Sequence, residues 1–312
     1  MTNLAIVFPG QGSQSVSMMT GWEDYQFLVA DIYSRASDAL GYDLWKIVSE
    51  GPENELNQTR VTQPAMLCAG VACWEIAKQA QALPQPAVMA GHSLGEYSAL
   101  VCAGSIEFTD AVRLVAMRGE LMQSAVAQGD GSMAAIIGLG DADVIKACES
   151  VTQGIVEAVN FNAPGQVVIA GNRDSVEAAM DIARELGAKR ALLLPVSVPS
   201  HCSLMRGAAD QLGETLDAIS IENPSVPVIH NQNAGVAASV GEVRELLRKQ
   251  LYQPVQWVAS VQNMASRGVD TLVECGPGKV LTGLTKRIDK SMQGFAVFDK
   301  ASLDKTIESI SE

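Results

Sequence analysis

The chain has 312 residues, of which 47% are hydrophobic and 18% are charged, and its formal net charge at pH 7 is −13. A chain of this length can bury a large core, and we expect one large domain interrupted by a small inserted one. The negative charge argues against nucleic acid as a partner, and no apolar run reaches the roughly 20 residues that a membrane span requires.

The first predicted element is a buried strand at Leu4–Phe8. No basic segment precedes it, so the N-terminus does not resemble a signal peptide. The six cysteines form no Cys-x-x-Cys pair and mostly lie in apolar segments, which is typical of buried thiols in a reducing compartment. We therefore expect a cytoplasmic protein without a metal site.

A glycine-rich turn follows this strand, with the sequence Pro9-Gly10-Gln11-Gly12-Ser13-Gln14. Turns of this kind often let backbone amides approach a ligand. The pattern of a phosphate-binding loop is absent, and an ordinary strand–helix turn explains the glycines equally well. The residues of the turn alone leave its function open.

The next two segments favour helices. Residues 24–50 have apolar side chains at helical spacing. Gln63-Pro64 predicts the start of a long apolar helix that extends through Ala80, with Pro64 near its first turn. The apolar strip of this helix predicts core packing rather than a binding surface.

The most informative segment is Gly91-His92-Ser93-Leu94-Gly95, which lies between a predicted strand at 87–90 and a predicted helix. This is the context in which Gly-x-Ser-x-Gly forms a nucleophile elbow. Side chains at Gly91 and Gly95 would collide with the sharp turn, so glycine fits both positions. The amide of Leu94 would lie at a helix N-terminus, which favours an oxyanion. We predict Ser93 as a nucleophile.

After the elbow, Thr109-Asp110 is predicted to cap a helix that includes Arg118. Arg118 lies among the apolar residues Val115, Met117 and Leu121. A single arginine beside an apolar face usually extends its charge to solvent, so its position alone does not make Arg118 a site residue.

The pattern changes over residues 133–197. Strand, helix, strand, strand, helix and strand are predicted in turn at 133–139, 143–151, 155–160, 166–170, 175–186 and 190–196. This order is the ferredoxin-like arrangement, and its length suits a small inserted domain. We expect a large domain over 1–127 and 199–312, with the insert at 128–198.

His201 follows directly on the predicted insert, at a domain junction where clefts form. A nucleophilic serine needs a base, and His201 is the best candidate on position. No aspartate between Ser93 and His201 clearly follows a core strand, so we expect a dyad whose imidazole is oriented by a backbone carbonyl or an amide side chain. The chemistry this predicts is acyl transfer through an acyl-serine. Cys202 is a weaker candidate nucleophile, because sequence neighbours rarely face each other in an active site.

Several segments together resemble the malonyl-CoA:acyl carrier protein transacylases of bacterial fatty acid synthesis. They occur in order and nearly span the chain, as in the stand-alone enzyme rather than an excised synthase module. The segments are Phe8–Gln14, Gly91–Glu96, Arg118, Pro199–His201, Gln250–Trp257 and Glu274–Lys279.

The resemblance implies an α/β fold with an α/β-hydrolase-like large domain and an inserted ferredoxin-like small domain. It also implies a ping-pong acyltransferase that moves the malonyl group from malonyl-CoA to the phosphopantetheine thiol of acyl carrier protein, which supplies fatty acid elongation. The implied partners are these two substrates, with no nucleic acid, membrane or separate cofactor.

The resemblance further implies catalytic roles for individual residues. Ser93 is the nucleophile and His201 its base. The backbone carbonyl of Gln250 holds the His201 ring, which would account for the missing acid. The backbone amides of Gln11 and Leu94 form the oxyanion hole.

Three further residues are implied to contact the substrate. Arg118 pairs with the free carboxylate of the malonyl group, while His92 and Asn160 line the pocket.

The implied carrier protein is strongly acidic, although this chain is acidic too. Attraction between the two must therefore come from a local basic patch rather than from net charge. The candidate docking residues are Lys189, Arg190, Arg206, Lys286 and Arg287.

Two alternative functions remain open on the sequence. A serine esterase or thioesterase would share the elbow, but it has no need of a buried cation for a second carboxylate. A non-catalytic scaffold that binds an acyl carrier would be expected to lack Ser93 or His201, and both are present.

Overall fold

The computed structural model describes residues 3–81, 83–127, 129–196 and 198–311. Met1, Gln128 and Glu312, at which predicted domains begin or end, lie outside these ranges. The predicted limits 1–127, 128–198 and 199–312 stay predictions. Within the described ranges, no helix combines the length and apolarity needed to cross a membrane.

The described residues contain nine strands. They are β1 (Leu4–Phe8), β2 (Val88–Gly91), β3 (Gly131–Ile137), β4 (Val156–Ala163), β5 (Gln166–Asn172), β6 (Arg190–Leu193), β7 (Val228–Ile229), β8 (Thr271–Cys275) and β9 (Gln293–Val297).

The same ranges contain thirteen α-helices. They are α1 (Gln26–Leu40), α2 (Leu44–Glu50), α3 (Glu53–Leu56), α4 (Thr59–Gln79), α5 (Gly95–Cys102), α6 (Phe108–Ser124), α7 (Asp141–Glu149), α8 (Arg173–Glu185), α9 (Arg206–Ala218), α10 (Val240–Gln250), α11 (Trp257–Ser266), α12 (Val280–Ile288) and α13 (Lys300–Ser311).

The first sheet is parallel and has the order β7-β2-β1-β8-β9. Alternate residues of β1 face two different cores: Ile6 packs in the core that includes α4 and α6, and Val7 packs in the core that includes α11 and α12. Burial on both faces explains why β1 is continuously apolar rather than alternating. In register, Phe8 pairs with Gly91, so the loops after β1 and β2 leave the same edge.

The second sheet is antiparallel, with the order β4-β5-β3-β6. Its elements follow one another as strand, helix, strand, strand, helix and strand, which is the predicted order. Helices α7 and α8 cover one face, where Val144 and Val176 pack against the strands. The opposite face packs against Cys202, so this sheet supports the segment that contains His201.

Several predicted boundaries were wrong. The helical region 24–50 is broken because Gly41 adopts a left-handed conformation (φ 75°) and ends α1. Asp43 then caps α2 by accepting from the amide of Lys46 at 2.9 Å. Helix α4 begins at Thr59 rather than at Gln63, because the segment before it already supplies carbonyl acceptors, such as that of Gln58 for Val61 at 2.8 Å.

Two smaller differences concern element ends. Glu107, not Thr109-Asp110, caps α6, and its side chain accepts from the amides of both residues. Strand β6 ends at Leu193 rather than at Val196, because its pairing with β3 stops at Leu193.

Candidate active site

Ser93 lies on a sharp turn between β2 and α5, and its backbone is left-handed (φ 52°). A Cβ atom at Gly91 would lie 1.9 Å from the carbonyl carbon of Gly95, and one at Gly95 would lie 2.0 Å from the carbonyl oxygen of Phe8. Both contacts are impossible for a side chain, so the turn requires glycine on each side. The left-handed serine costs about 1–2 kcal/mol, which the surrounding bonds must offset.

Asn231 and Glu96 supply those bonds. The amide of Ser93 donates to Oδ1 of Asn231 at 2.6 Å, and Nδ2 of Asn231 donates to the carbonyl of Gly91 at 2.6 Å. The backbone amide of Asn231 in turn donates to Oε2 of Glu96 at 2.9 Å. The side chain of Asn231 therefore satisfies polar groups on both sides of the elbow.

The structure brings Ser93 and His201 together as predicted. Oγ of Ser93 lies 2.8 Å from Nε2 of His201, which is only 2% exposed. Nδ1 of His201 donates to the backbone carbonyl of Gln250 at 2.6 Å. Because a carbonyl can only accept, Nδ1 bears the hydrogen and Nε2 faces Ser93 with its lone pair.

Burial, together with the nearby positive charge of Arg118, lowers the pKa of His201 from its ordinary 6.5 to about 3. The bond to the carbonyl of Gln250 acts in the opposite direction. The imidazole is therefore neutral at pH 7, as a general base must be.

Arg118, on α6, does not extend to solvent, because only 1% of it is exposed. Its guanidinium group lies over the ring of Tyr97, 5.3 Å from the centroid, and Nη2 lies 3.2 Å from Oγ of Ser93. Burial lowers the pKa of Arg118 from its ordinary value, while Tyr97 and Glu96 raise it.

The hydrogen-bond acceptors around Arg118 are neutral. Nη1 donates to Oε1 of Gln63 at 2.8 Å, and Nη2 donates to Oε1 of Gln250 at 2.9 Å. Nε has no acceptor among the described residues, and no carboxylate in those ranges forms a salt bridge with Arg118. A buried cation with an unused donor beside a nucleophile suits an anionic substrate.

The two predicted oxyanion donors lie in loops that contact each other. The amide of His92 donates to the carbonyl of Phe8 at 3.0 Å, and a Cβ at Gly10 would lie 2.6 Å from the carbonyl oxygen of His92. The loop of Gln11 therefore lies against the elbow. Within the part of the chain that the structure describes, the amides of Gln11 and Leu94 have no hydrogen-bond acceptor.

The ring of His92 has a hydrogen-bond partner, whereas Oδ1 of Asn160 has none among the described residues. Nε2 of His92 lies 2.8 Å from Oδ1 of Asn162, and its ring centroid lies 5.6 Å from that of Trp257. Burial lowers the pKa of His92. Oδ1 of Asn160 is buried and has no hydrogen-bond partner in the described ranges. The hydrogen bonds of Ser93, His201 and Arg118 in those ranges do not include Asn160.

The five predicted docking residues are all exposed. None of them forms a salt bridge with another residue that the structure describes. Arg206 lies over the ring of Tyr252, 4.5 Å from its centroid. Arg287 donates to the side chain of Gln166 and, at 3.3 Å, to the carbonyl of Pro164.

Cys202 faces away from this centre, because its Sγ donates to the carbonyl of Pro199 at 3.1 Å. Burial raises the pKa of Cys202 to about 12, which disfavours a thiolate. Among the described residues, no group of three or more histidine, cysteine, aspartate or glutamate side chains is placed to hold a metal ion.

Five residues around the site were not predicted from the sequence, namely Gln63, Glu96, Asn162, His230 and Asn231. Glu96 is part of the segment Gly91–Glu96 that carries the resemblance, but no role was predicted for it. Asn231 follows β7, which neighbours β2, so its place beside the elbow follows from the strand order. A strand of two residues gives too weak a signal for that order to be deduced.

Comparisons with known proteins identify the family of this chain. The family model of the acyl transferase domain matches residues 5–302. A malonyl CoA-acyl carrier protein transacylase of Salmonella typhimurium is 54% identical over 98% of this chain and 99% of its own length.

Two solved structures are also similar. An acyl carrier protein S-malonyltransferase from Vibrio cholerae superposes with a TM-score of 0.95 at 53% identity, over 97% of this chain and 99% of that one. A malonyl-transacylase in complex with its type II PKS acyl-carrier protein gives a TM-score of 0.96 at 50% identity, over 99% and 100% of the two chains. The chain therefore belongs to the acyl transferase family and, within it, to the malonyl CoA-acyl carrier protein transacylases.

Proposed function

We propose that this enzyme transfers a malonyl group from malonyl-CoA to the phosphopantetheine thiol of an acyl carrier protein through a malonyl-serine intermediate, and so supplies fatty acid elongation. The observation that best supports the proposal is the meeting of three groups: Oγ of Ser93 lies 2.8 Å from Nε2 of His201 and 3.2 Å from Nη2 of Arg118. The first contact suits nucleophilic attack, and the second suits a substrate that has a free carboxylate.

In the first half-reaction, Nε2 of His201 takes the proton of Ser93 as Oγ attacks the thioester carbonyl. The tetrahedral intermediate then collapses, the carbon–sulfur bond breaks, and the CoA thiolate leaves with the proton from His201. In the second half-reaction His201 takes the proton of the carrier thiol as its sulfur attacks the malonyl ester. The ester carbon–oxygen bond then breaks, and Oγ of Ser93 leaves with the proton from His201. The serine, the histidine and the two thiols account for every proton and bond.

The backbone amides of Gln11 and Leu94 would stabilise the negative oxygen of both intermediates. Their support is the loop contact at the elbow together with the absence of an acceptor for either amide in the described ranges. A hole made of backbone donors needs little reorganisation during the reaction.

Arg118 would bind the malonyl carboxylate. The neutral acceptors of Gln63 and Gln250 hold the guanidinium group without neutralising its charge. A planar guanidinium offers two parallel donors, which match the two oxygens of a carboxylate. We further propose that His92 and Asn160 line the pocket, since Oδ1 of Asn160 is a buried acceptor that a bound substrate could satisfy.

Carrier docking is proposed for Lys189, Arg190, Arg206, Lys286 and Arg287. In support of this, all five side chains are exposed and form no ion pair with another described residue, and a similar transacylase was solved with its acyl-carrier protein. Exposed, unpaired cations provide the local attraction that the net charge of −13 cannot provide.

We also propose that the fold is an α/β-hydrolase-like large domain with a ferredoxin-like insert. The sheet order β4-β5-β3-β6 and its antiparallel pairing support the assignment of the insert. The parallel sheet that ends at the nucleophile elbow supports the assignment of the large domain.

The test of this function is the intact mass of the enzyme after mixing with malonyl-CoA. We expect an added malonyl group that maps to Ser93 and disappears when a carrier protein with its phosphopantetheine thiol is added. Ser93→Ala should form no adduct, and His201→Ala should form it several orders of magnitude more slowly, since nucleophile and base act as a unit. An adduct on Ser93→Ala, or release of free malonate instead of malonyl carrier, would contradict the proposal.

A further inference from the structure

Glu96 is a buried carboxylate that takes no part in the proposed chemistry. It lies on α5, three residues after Ser93, and none of its surface is exposed. Its oxygens accept from Nδ1 of His230 at 2.8 Å, from the amide of Asn231 at 2.9 Å and from Nε2 of Gln250 at 2.7 Å. Burying a carboxylate is costly, and these three hydrogen bonds offset that cost. The presence of a buried carboxylate beside the nucleophile therefore calls for an explanation.

The side chain of Gln250 connects Glu96 to the reaction centre. Its Nε2 donates both to Glu96 and, at 2.9 Å, to the backbone carbonyl of Ser93. Its Oε1 accepts from Nη2 of Arg118 at 2.9 Å. This side chain is distinct from the backbone carbonyl of the same residue, which holds His201.

An amide has one donating end and one accepting end, so the orientation of Gln250 matters. The carboxylate of Glu96 can only accept, and it therefore fixes the NH₂ group toward itself and the carbonyl toward Arg118. The reverse orientation would direct NH₂ toward the guanidinium group, where donor would face donor. The same carboxylate holds the amide of Asn231, whose side chain holds the amide of Ser93.

We propose that Glu96 is a positioning residue for malonyl selectivity, which acts through the side-chain amide of Gln250 to aim the guanidinium group of Arg118 at the substrate carboxylate. The proposal rests on the function proposed above. It predicts that loss of the acceptor at position 96 weakens the discrimination between malonyl and acetyl thioesters, beyond any loss of stability.

The experiment compares Glu96→Met with Glu96→Gln and with a matched control. Glutamine retains an oxygen that can accept from Gln250 and Asn231, while its NH₂ turns to His230, whose Nδ1 can accept in the other tautomer. The control is Glu274→Met. Glu274 is equally buried and accepts from the amides of Leu281 and Thr282 at 3.1 and 2.8 Å, with no bond to Ser93, Arg118 or Gln250.

The readouts are Tm and the ratio of kcat/KM for malonyl-CoA over acetyl-CoA. We expect Glu96→Met to lower this ratio about tenfold or more, the usual effect of losing a bond that orients a charged group. Glu96→Gln should retain most of the wild-type ratio. Glu274→Met should lower Tm and leave the ratio unchanged. Glu96→Met in a Gln250→Leu background should cause no further drop in the ratio, because the route through Gln250 is already absent.

The proposal would be overturned by an unchanged ratio in Glu96→Met, or by a further, additive drop in the Gln250→Leu background. If Glu96→Met does not fold, Glu96→Asp serves instead, because it keeps the charge but withdraws the carboxylate from Gln250 by one methylene. An unchanged kcat/KM ratio in Glu96→Asp would also overturn the proposal. Failure of the function itself is separate: the wild-type enzyme would then form no malonyl-Ser93 adduct.

Discussion

At the scale of single residues, Arg118 shows how a buried charge is kept available. Amide oxygens from Gln63 and Gln250 orient its guanidinium group, and a carboxylate in either position would neutralise it. The cost of burying a cation is thus offset in part by neutral acceptors, and the remaining electrostatic stabilisation would come from the substrate.

Arg118→Ala should lose most malonyl transfer while relative activity toward acetyl-CoA rises, because acetyl-CoA has no carboxylate to leave unpaired. Sites built for a charged group discriminate against the uncharged analogue by several kcal/mol, about 10²-fold or more. Arg118→Lys should be intermediate, since it keeps the charge and loses the two parallel donors. The ratio of kcat/KM for the two thioesters measures this, and the same ratio in wild type and Arg118→Ala would show that selectivity lies elsewhere.

Gln63→Glu offers a nearly isosteric test of the neutral acceptors. A carboxylate 2.8 Å from Nη1 of Arg118 would form an internal ion pair. We expect the malonyl rate to fall about tenfold or more while acetyl transfer is spared, because the guanidinium charge is already compensated. Parallel loss of both activities would instead point to distortion of α4.

The pH dependence of acylation should reflect the shifted base. With a pKa of about 3, His201 stays neutral through the whole range in which a free histidine would titrate. We expect kcat/KM for malonyl-CoA to be level between about pH 5 and pH 7, with no inflection near 6.5. A clear inflection at 6.5 that tracks formation of the acyl-enzyme would contradict this.

The same shift predicts how stability depends on pH. Between pH 3 and pH 6.5, the unfolded chain binds a proton at His201 that the folded chain does not bind, so the free energy of unfolding falls as the pH drops below 6.5. The slope from this residue is at most about 1.4 kcal/mol per pH unit. His201→Gln should flatten the decline in urea titrations from pH 6.5 to 4.5, and an identical slope in wild type and variant would exclude the contribution.

At the scale of elements, the elbow is the junction on which the site depends. It joins β2 to α5, and the carbonyl of Phe8 at the end of β1 lies so close that Gly95 has no room for a Cβ. Strand, turn and helix are therefore fixed relative to one another by backbone contact.

Gly95→Ala should destabilise the enzyme by about 3 kcal/mol or more and abolish acylation, since the new methyl would lie 2.0 Å from the carbonyl oxygen of Phe8. Gly283→Ala, within α12, is the matched control because nothing lies within 4 Å of its Cβ position. That change should leave activity intact and stabilise by about 0.5–1 kcal/mol. Urea midpoints and the rate of acyl-enzyme formation measure both, and a stable, active Gly95→Ala enzyme would show that the turn can relax.

Local signals were enough to predict the elbow, the order of the insert and the serine–histidine pair. Gly91 and Gly95 determine the turn through sterics that act within a few residues. The network of Glu96, His230 and Asn231 could not be predicted in this way, because it depends on β7 lying beside β2. Residues 96 and 231 are brought together by strand order alone, and neither has a distinctive local pattern.

At the scale of the whole molecule, the net charge of −13 opposes the approach of an acidic carrier. Attraction must act over about 10 Å or less at 0.1 M salt, so the location of each cation matters more than the total. Helices α12 and α13 allow this to be tested, because Leu284 and Leu303 pack in different cores on opposite faces of the parallel sheet.

Lys286→Glu on α12 should raise KM for the carrier protein several-fold at low salt while leaving acylation by malonyl-CoA unchanged. Lys305→Glu on α13 changes the net charge equally and is the control. Steady-state kinetics with carrier as the varied substrate distinguish the two. Equal effects of both variants would assign the interaction to net charge, and loss of acylation in Lys286→Glu would indicate damage to the fold.

The central place of β1 has a consequence for synthesis on the ribosome. Its two neighbours are β2 and β8, and Leu4 pairs with Thr271, so one edge of β1 stays unpaired until residue 271 has been synthesised. Until β8 emerges, an apolar strand with free backbone groups is open to other chains or to chaperones. Ribosome-bound chains halted before residue 271 should therefore be cleaved by protease near β1, and chains extended past β9 should resist.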